Sequence, residues 1–433
     1  MENEIIAKEE LQPSKEEKEL QRKKQNNIKI YPIYRIFSWD LIFYYATIYL
    51  FLTIQKKITA SQVLQFDAFY ILFRFLLQIP CTLLIQKIGK RKSLILANAV
   101  AVIHVLYIIF ALNFNVLIFS QLLCAFAFII RGTCETDMLY DSLEHNEKRG
   151  STFAKIDGKA MSRFYYIEAT SAVLSGFLYV INPYIPISLC FATLFITFFL
   201  SIKFKDIHPA KGKMEIKEEV KIIRLGFKNI IKSKRLKSLL IFNALFVGLL
   251  KILQNIRNTV LIEIGVPEQY FGIIFALMGI VTGIAARCQG KIHKKFRNRT
   301  LTFLSMPTAI SCLMMGLIMI YNISYENKML IVLTMFAIQY SMKGPYHVLI
   351  KRYFNNFTTS EKRIKISTAN NLCENAIASA VIFAASYLLE AVPIKYTTTI
   401  IGCIATLNFI SLLDYMKHTV GLKPEEYSPK EIL

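Results

Sequence analysis

Long apolar segments recur along the chain from Tyr31 onward, and they constrain its fold more than any other feature. Each segment is about 20 residues long, the length of an α-helix that crosses the hydrocarbon core of a bilayer. Short polar breaks separate one segment from the next. Inside lipid, only helices and closed barrels satisfy every backbone hydrogen-bonding group. The sequence therefore predicts an all-α polytopic membrane protein, in agreement with a mean hydropathy of +0.41.

The apolar segments predict twelve transmembrane helices in two six-helix bundles. They cover residues 31–54, 60–86, 93–112, 115–140, 160–181, 184–203, 238–262, 269–290, 300–321, 328–350, 366–389 and 394–416. The predicted N-terminal bundle is 31–203 and the C-terminal bundle is 238–416, with tails at 1–30 and 417–433. Between the bundles lies a linker, 204–237, in which apolar side chains recur at helical spacing among lysines and arginines. This pattern predicts a basic amphipathic helix on the anionic inner leaflet.

The cations of the chain are distributed unevenly among the loops. In a soluble protein, a formal net charge of +22 would indicate nucleic-acid binding. Here the lysines and arginines concentrate in alternate loops, with clusters at 87–92, 148–159, 291–299 and 351–365. Positively charged loops stay on the cytoplasmic side, and an even number of spans places both termini there as well. The charge therefore predicts topology, and we expect membrane lipids as partners and no nucleic acid.

Metal and cofactor chemistry has no signature in the sequence. The eight cysteines fall in or at the ends of the predicted spans, without a CxxC motif or a cluster of histidines. A membrane-embedded enzyme would need a clustered histidine, aspartate or metal motif at an interface. We therefore expect no metal, no cofactor and no enzymatic activity.

The loop between the second and third predicted spans carries a compact basic motif, read as "LLQIPCTLLIQKIGKRKSLILAN" at 76–98. Gly89 supplies a tight turn, and Lys90, Arg91 and Lys92 follow it directly. The stretch resembles the loop at the same position in the major facilitator superfamily, usually written G-x-L-A-D-R-x-G-R-R. The resemblance implies that these four residues form a gate loop. Gln86 stands where that family has Asp, so the usual acidic partner of the gate is missing.

A second stretch, "TCETDMLYDSLEHN" at 133–146, is followed by "KIDGKAMSRFYYIEATSAVLSGFLY" at 155–179. Together they resemble a Gram-positive bacterial, efflux-like branch of the same superfamily, with Glu135 in the place of its acid. The resemblance covers the chain from Tyr31 onward. It implies a monomeric secondary active transporter of the bacterial cytoplasmic membrane. Such a protein moves a small solute by alternating access, here as proton-coupled efflux.

Ionisable groups inside the spans are the candidate functional residues, because a charge in lipid is costly unless it is paired or hydrated. A proton-coupled transporter needs a carboxylate that binds and releases a proton in each cycle. The candidates for this role are Asp40, Glu135, Glu168 and Glu374. The spacing of Asp40, Tyr44 and Thr47 predicts that they share one face of a helix.

Polar stripes on several spans predict a shared aqueous cavity. The candidates that line it are Tyr44, Arg74, Arg131, Lys251, Gln254, Asn258, Lys343, His347 and Asn371. Lys251, Arg257 and Lys343 could hold an anionic solute, and Asp67 shares a helix face with Arg74. Charges of both signs argue against a cavity built only for organic cations. They fit a zwitterionic, anionic or amphiphilic solute.

Some of these features have a structural alternative. Arg131 and Glu135 lie one turn apart and could form a structural pair. Gly279 and Gly283 have a spacing that predicts close packing of the eighth span. For the chain as a whole, the alternative to a transporter is a transporter-like membrane sensor or a lipid translocator without small-solute flux.

Overall fold

The computed structural model describes residues 15–144, 149–207, 216–321, 323–356 and 360–420, and it confirms the all-α class over these ranges. The α-helices, in chain order, are α1 (Lys15–Ser38), α2 (Ile48–Leu50), α3 (Ala60–Ile88), α4 (Lys90–Phe110), α5 (Phe114–Ser142), α6 (Arg149–Ile181), α7 (Tyr184–Ile202), α8 (Ile216–Lys232), α9 (Lys234–Glu263), α10 (Phe271–Arg287), α11 (Gln289–Phe296), α12 (Thr300–Ile320), α13 (Tyr325–Asn356), α14 (Ser360–Ala391) and α15 (Ile394–Tyr415).

Ten helices in the described part of the chain are long and apolar enough to cross a membrane: α3, α4, α5, α6, α7, α9, α10, α12, α14 and α15. The predicted spans 31–54 and 328–350 are outside this set. The first is interrupted within its apolar run, and the second lies in α13, which carries Gln339, Lys343 and His347 along its middle. Twelve membrane-spanning helices therefore remain a prediction.

The first predicted span is a broken helix. α1 ends at Ser38, and the chain runs through turns until α2 begins at Ile48 and continues as a π-helix over Phe51–Gln55. The prediction that Asp40, Tyr44 and Thr47 share one helical face is therefore wrong. Asp40 instead accepts a hydrogen bond from the backbone N–H of Leu41 at 2.9 Å. A side-chain acceptor of this kind competes with helical carbonyls for the backbone N–H groups. In membrane proteins, a broken helix is tolerated at membrane depth where it lines a cavity.

The helices assemble into two bundles, α1–α7 and α9–α15. Between them, α3 packs on α14, α6 packs on α10, and α9 contacts α2 and α3. Among the described residues, two hydrogen bonds join the bundles: one between the Tyr49 hydroxyl and Thr259 Oγ1 at 2.6 Å, and one from Ser61 Oγ to the Ser386 carbonyl at 2.8 Å. Both bonds lie at the end of the molecule opposite Gly89. We call this end, marked by the Tyr49–Thr259 and Ser61–Ser386 bonds, the closed end.

Two glycines allow α6 and α10 to touch at the closed end. A Cβ atom on Gly176 would lie 2.7 Å from the carbonyl oxygen of Gln269, and one on Gly272 would collide with the carbonyl of Ala172. Around Gly279 and Gly283, by contrast, a Cβ would meet nothing within 4 Å. The prediction that this second pair mediates close packing is therefore wrong. Both residues are on the exposed side of α10, because only its first turn crosses α6.

The predicted linker forms α8, and the structure packs this helix against α14 and α9. Ile230 is buried within this contact, whereas Val220 and Ile231 remain exposed. The segment before α8 belongs to the N-terminal bundle, since Phe204 is buried against Tyr34. The first helix also extends further toward the N-terminus than predicted, because α1 begins at Lys15, well before the predicted span. Residues 208–215 of the linker and 1–14 of the tail lie outside the described residues.

Candidate functional site

Three carboxylates of the N-terminal bundle face the space between the bundles: Asp40, Asp67 and Glu168. Asp40 lies in the break after α1 and accepts a hydrogen bond from the Tyr45 hydroxyl at 2.6 Å. Asp67 of α3 interacts electrostatically with Lys251 on α9, and Glu168 of α6 lies within electrostatic range of Asp40 and of Lys343 on α13. We call these three carboxylates the acidic wall. The acidic wall contains Asp40 and Glu168, which are two of the predicted proton-coupling candidates, together with Asp67.

Lys251 of α9 and Lys343 of α13, in the C-terminal bundle, lie within electrostatic range of these carboxylates, and Arg257 of α9 lies within range of Lys343. Lys343 interacts electrostatically with both other cations and, across the gap, with Glu168 and Asp40. Lys251 in turn acts on Asp40 and Asp67. We call these three residues the basic wall. The predicted cavity cations Lys251 and Lys343 are thereby brought together, and Arg257 completes the set.

Aromatic rings hold the basic wall in place. The guanidinium carbon of Arg257 lies 3.3 Å from the ring centroid of Phe275, and one of its Nη atoms donates to the Tyr340 hydroxyl. The Nζ of Lys343 lies 5.4 Å from the centroid of the same Tyr340 ring. Cation–π contacts of this kind stabilise a desolvated charge. The Nε atom of Arg257 is buried and has no hydrogen-bond partner among the described residues.

Glu135 forms an ion pair with Arg35 of α1, and both side chains are about 3% exposed. The alternative in which Glu135 pairs with Arg131 is therefore wrong. The other Glu135 oxygen accepts from Ser38 Oγ at 2.6 Å, and Arg35 Nε reaches Asp157 at 3.2 Å. This network, which we call the Arg35 network, ties α1, α5 and α6 together. Sequence reasoning missed Arg35, although the rule that flags charges inside predicted spans applies to it.

Arg131 supplies a hydrogen-bond donor to the C-terminal end of α1, where the first predicted span is broken. It donates to the carbonyl of Ser38, the last residue of α1, and its guanidinium lies 4.8 Å from the Phe128 ring centroid. The last carbonyls of a helix lack intrahelical partners, so a cation at this point stabilises the break. Its Nε and second Nη atom are buried without a partner in the described residues, and its charge also acts on Asp40.

Glu374 lies in a hydrogen-bonded chain within the C-terminal bundle. Asn243 of α9 donates to Glu374 at 2.6 Å, and the Tyr346 hydroxyl donates to Asn243 at 2.9 Å. The cavity candidate Asn371, on the same helix as Glu374, is exposed, as is His347. The candidates Glu374, Asn371 and His347 therefore lie outside the two walls.

The remaining cavity candidates are buried or partly buried near the bundle interface. Tyr44 is buried and packs edge-on against Tyr45, with ring centroids 5.3 Å apart. The guanidinium of Arg74 lies 5.8 Å from the Tyr70 ring centroid. Asn258 is buried with an unpartnered side-chain oxygen among the described residues, and Gln254 is partly buried on α9.

The predicted gate loop is a single-residue turn. Gly89 joins α3 and α4 with φ of 87°, a left-handed conformation that favours glycine. Lys90 Nζ pairs with Asp141 at 2.7 Å and with Asp137 at 3.1 Å. Arg91 Nε donates to the carbonyl of Phe204 at 2.6 Å. Two aspartates of α5 thus supply acidic partners for a loop in which Gln86 replaces the family's Asp.

A model of the Major Facilitator Superfamily matches residues 34–382 of the chain. The chain belongs to the Major Facilitator Superfamily. This confirms the predicted superfamily and indicates a transporter rather than an enzyme. It also indicates a multi-pass membrane protein, in agreement with the ten apolar helices.

Solved transporters share the fold of this superfamily member. The nucleoside transporter NupG is 10% identical, with a TM-score of 0.71 over 92% of this chain and 100% of its own. A POT family transporter in complex with 5-aminolevulinic acid is 13% identical, with a TM-score of 0.64 over 91% and 94%. At these identities the likeness shows the fold alone. A comparison with curated protein sequences found no match.

Proposed function

We propose that this protein is a secondary active transporter that moves a small polar solute across the bacterial cytoplasmic membrane by alternating access. One observation carries the proposal: the acidic and basic walls face each other between two bundles that touch at the closed end. A binding site between two bundles is the arrangement through which rigid-body rocking exposes a solute to alternate sides. The solutes named for the two solved transporters are also small and polar.

The position of the closed end supports an assignment of the conformation. The basic loops, including Gly89 to Lys92, lie at the opposite end, which the positive-inside rule assigns to the cytoplasm. In this orientation the bundles close toward the outside and the two walls are reached from the cytoplasm. The same orientation places both termini in the cytoplasm, with α8 at the inner leaflet.

We further propose that transport is coupled to protons and runs as efflux from a monomer. Asp40 and Glu168 support the coupling, because each is a carboxylate at membrane depth whose charge is felt by a cation of the other bundle. Proton and solute are coupled when their binding differs between the two conformations. The efflux direction is supported by the resemblance of 133–146 to the Gram-positive efflux-like branch.

A flux assay with purified protein in proteoliposomes tests the proposal. Liposomes with and without protein are incubated in a small-molecule extract of bacterial cells under an imposed pH gradient, and their contents are measured by mass spectrometry. We expect at least one solute to accumulate only with protein, and a protonophore to abolish the accumulation. Retention of no solute above protein-free liposomes would contradict the transporter and favour the sensor or lipid translocator.

A further inference from the structure

The charges that interact across the two bundles are sorted by sign. The acidic wall comes from the N-terminal bundle, on the break after α1, on α3 and on α6. The basic wall comes from the C-terminal bundle, on α9 and α13. Arg74 and Arg131 of the N-terminal bundle act on groups of their own bundle. The two walls lie within electrostatic range of each other, so a solute bound between them would meet carboxylates on one side and cations on the other.

The two walls do not neutralise each other by direct contact. In the described residues, no ion pair within 4.0 Å joins Lys251, Arg257 or Lys343 to a carboxylate. The pairs that do form, such as Arg35 with Glu135 and His418 with Asp414, lie outside the two walls. An unpaired charge away from water is unfavourable unless something compensates it. Each wall thus lacks a partner of opposite charge, and the gap between them is where that partner would bind.

The basic wall is prepared for an anionic group. Arg257 is only 2% exposed, and its contacts with Phe275 and Tyr340 fix the plane of its guanidinium. Its buried Nε remains without a partner among the described residues. A planar guanidinium with a free N–H binds carboxylates and phosphates with directed hydrogen bonds. Lys251 and Lys343 add two further positive charges to the same group.

The acidic wall offers the complementary surface. Asp40 is held by Tyr45 at 2.6 Å and by the backbone of Leu41 at 2.9 Å, so its carboxylate has a fixed direction. Asp67 lies within electrostatic range of Lys251 on the other bundle. Carboxylates held in this way accept hydrogen bonds from an ammonium group. A solute with a single charge would satisfy one wall and leave the other uncompensated.

We propose that the substrate is a zwitterion whose positive and negative groups are separated, as in an amino acid or a short peptide. Its anionic end binds Lys251, Arg257 and Lys343, and its ammonium end binds the acidic wall. The inference rests on the proposed function, since it assigns the substrate class of the same cavity. Charge complementarity on both sides also selects against singly charged competitors.

Binding to purified full-length protein tests this inference with matched probes. The zwitterions glycine, β-alanine, γ-aminobutyrate, alanyl-alanine and tri-alanine span increasing charge separations. Each is compared with its N-acetyl form, which lacks the ammonium, and its C-terminal amide, which lacks the carboxylate. We expect at least one zwitterion to bind about tenfold more tightly than both of its analogues, since a lost ion pair of about 1.4 kcal/mol corresponds to that factor. Equal binding of the analogues, or no binding by any zwitterion, would overturn the inference.

Two variants assign each end of the probe to a wall. In Lys251→Gln combined with Lys343→Gln, we expect the preference for the zwitterion over its C-terminal amide to fall, with Arg257 as the remaining cation of the wall. In Asp67→Asn, we expect the preference for the zwitterion over its N-acetyl form to fall, with Asp40 and Glu168 as the remaining carboxylates. The matched controls are the exposed residues Lys237, on the same helix as Lys251, and Asp414, changed to Gln and Asn respectively. A general loss of affinity without this selective loss of preference would contradict the assignment.

The binding experiment can fail or succeed independently of the flux experiment that tests the proposed function. Zwitterion binding without flux in proteoliposomes would leave the inference standing and remove the transporter. Flux of a solute that carries one charge would leave the transporter standing and remove the inference.

Discussion

Arg35 and Glu135 form a buried ion pair across 100 positions of the chain, with both side chains about 3% exposed. The pair connects α1 to α5, and Asp157 and Ser38 extend it to α6 and to the helix break. Breaking a buried pair by removing one partner leaves an uncompensated charge. The Arg35 network therefore has a structural role beside the cavity, and Glu135 is a weaker candidate for proton coupling than Asp40 or Glu168.

We expect Glu135→Gln to destabilise the protein by up to about 3 kcal/mol, because buried Arg35 would keep only Asp157 as a counter-charge. The measurement is the thermal midpoint of the purified protein, with Lys237→Gln as the exposed control. The double variant Arg35→Gln with Glu135→Gln should recover part of the loss, since it removes both charges. An unchanged midpoint in the single variant would show that the pair contributes little.

We expect Lys90→Gln to reduce transport more than Asp141→Asn, because Lys90 keeps Asp137 at 3.1 Å when its 2.7 Å partner Asp141 is changed. The double variant should be no worse than Lys90→Gln alone, as for groups that act together. Arg91→Gln should reduce transport less, since its partners are backbone carbonyls at the end of α7 and just beyond it. Initial rates in proteoliposomes provide the measurement. Additive losses at Lys90 and Asp141 would contradict this account of the gate.

We expect Asp40→Asn to leave the protein folded and able to exchange substrate passively, while accumulation driven by a pH gradient is lost. The amide keeps the size of the side chain but cannot gain or lose a proton. Lys251 and Arg131 are the cations whose charges act on this carboxylate, so solute in the cavity would alter its protonation. Tyr45→Phe is the matched control, since it removes the 2.6 Å hydrogen bond and keeps the carboxyl group.

Counterflow and gradient-driven uptake of the same substrate separate the two outcomes for Asp40→Asn. Glu374→Gln serves as a second comparison, because Glu374 lies outside the two walls. If both variants retain full gradient-driven transport, proton coupling at these sites is wrong, and Glu168 becomes the next carboxylate to change.

We expect Gly272→Ala to open the closed end, because its Cβ would collide with the carbonyl of Ala172 on α6. Cross-linking of Tyr49→Cys to Thr259→Cys with a bifunctional thiol reagent about as long as a tyrosine side chain reports the closed end, since the native hydroxyl groups meet at 2.6 Å. Gly272→Ala should slow this cross-linking, whereas Gly279→Ala, which meets nothing within 4 Å, should not. Equal rates in the two variants would show that close packing of α6 on α10 does not hold the bundles together.

We expect the basic loops to be inaccessible from outside intact cells. The exposed Lys87, changed to Cys, should react with a membrane-impermeant thiol reagent only after permeabilisation. Leu112→Cys, at a position 95% exposed between α4 and α5, should react in intact cells. A Cys403→Ser background removes the exposed native cysteine of the described residues. Labelling of Lys87→Cys from outside would overturn the orientation.

The length and hydropathy of the apolar segments determined the helical, membrane-spanning character of the chain, because lipid accepts only backbones whose hydrogen bonds are satisfied internally. Short motifs determined the superfamily, since the turn at Gly89 and its cations are local features of consecutive residues. The same local information identified Lys251, Lys343, Asp40 and Glu168 as charges placed where charge is costly.

Tertiary structure alone decided which of these charges meet. Sequence spacing favours pairs one turn apart, such as Arg131 with Glu135, yet Glu135 binds Arg35 because packing of α1 on α5 brings them together. Spacing likewise singled out Gly279 and Gly283, whereas the close approach occurs at Gly272, where α10 crosses α6. The approach of Lys251 to Asp40 and of Lys343 to Glu168 follows from the same cause. Contacts between distant helices depend on how those helices are rotated and crossed, which no periodicity within one helix specifies.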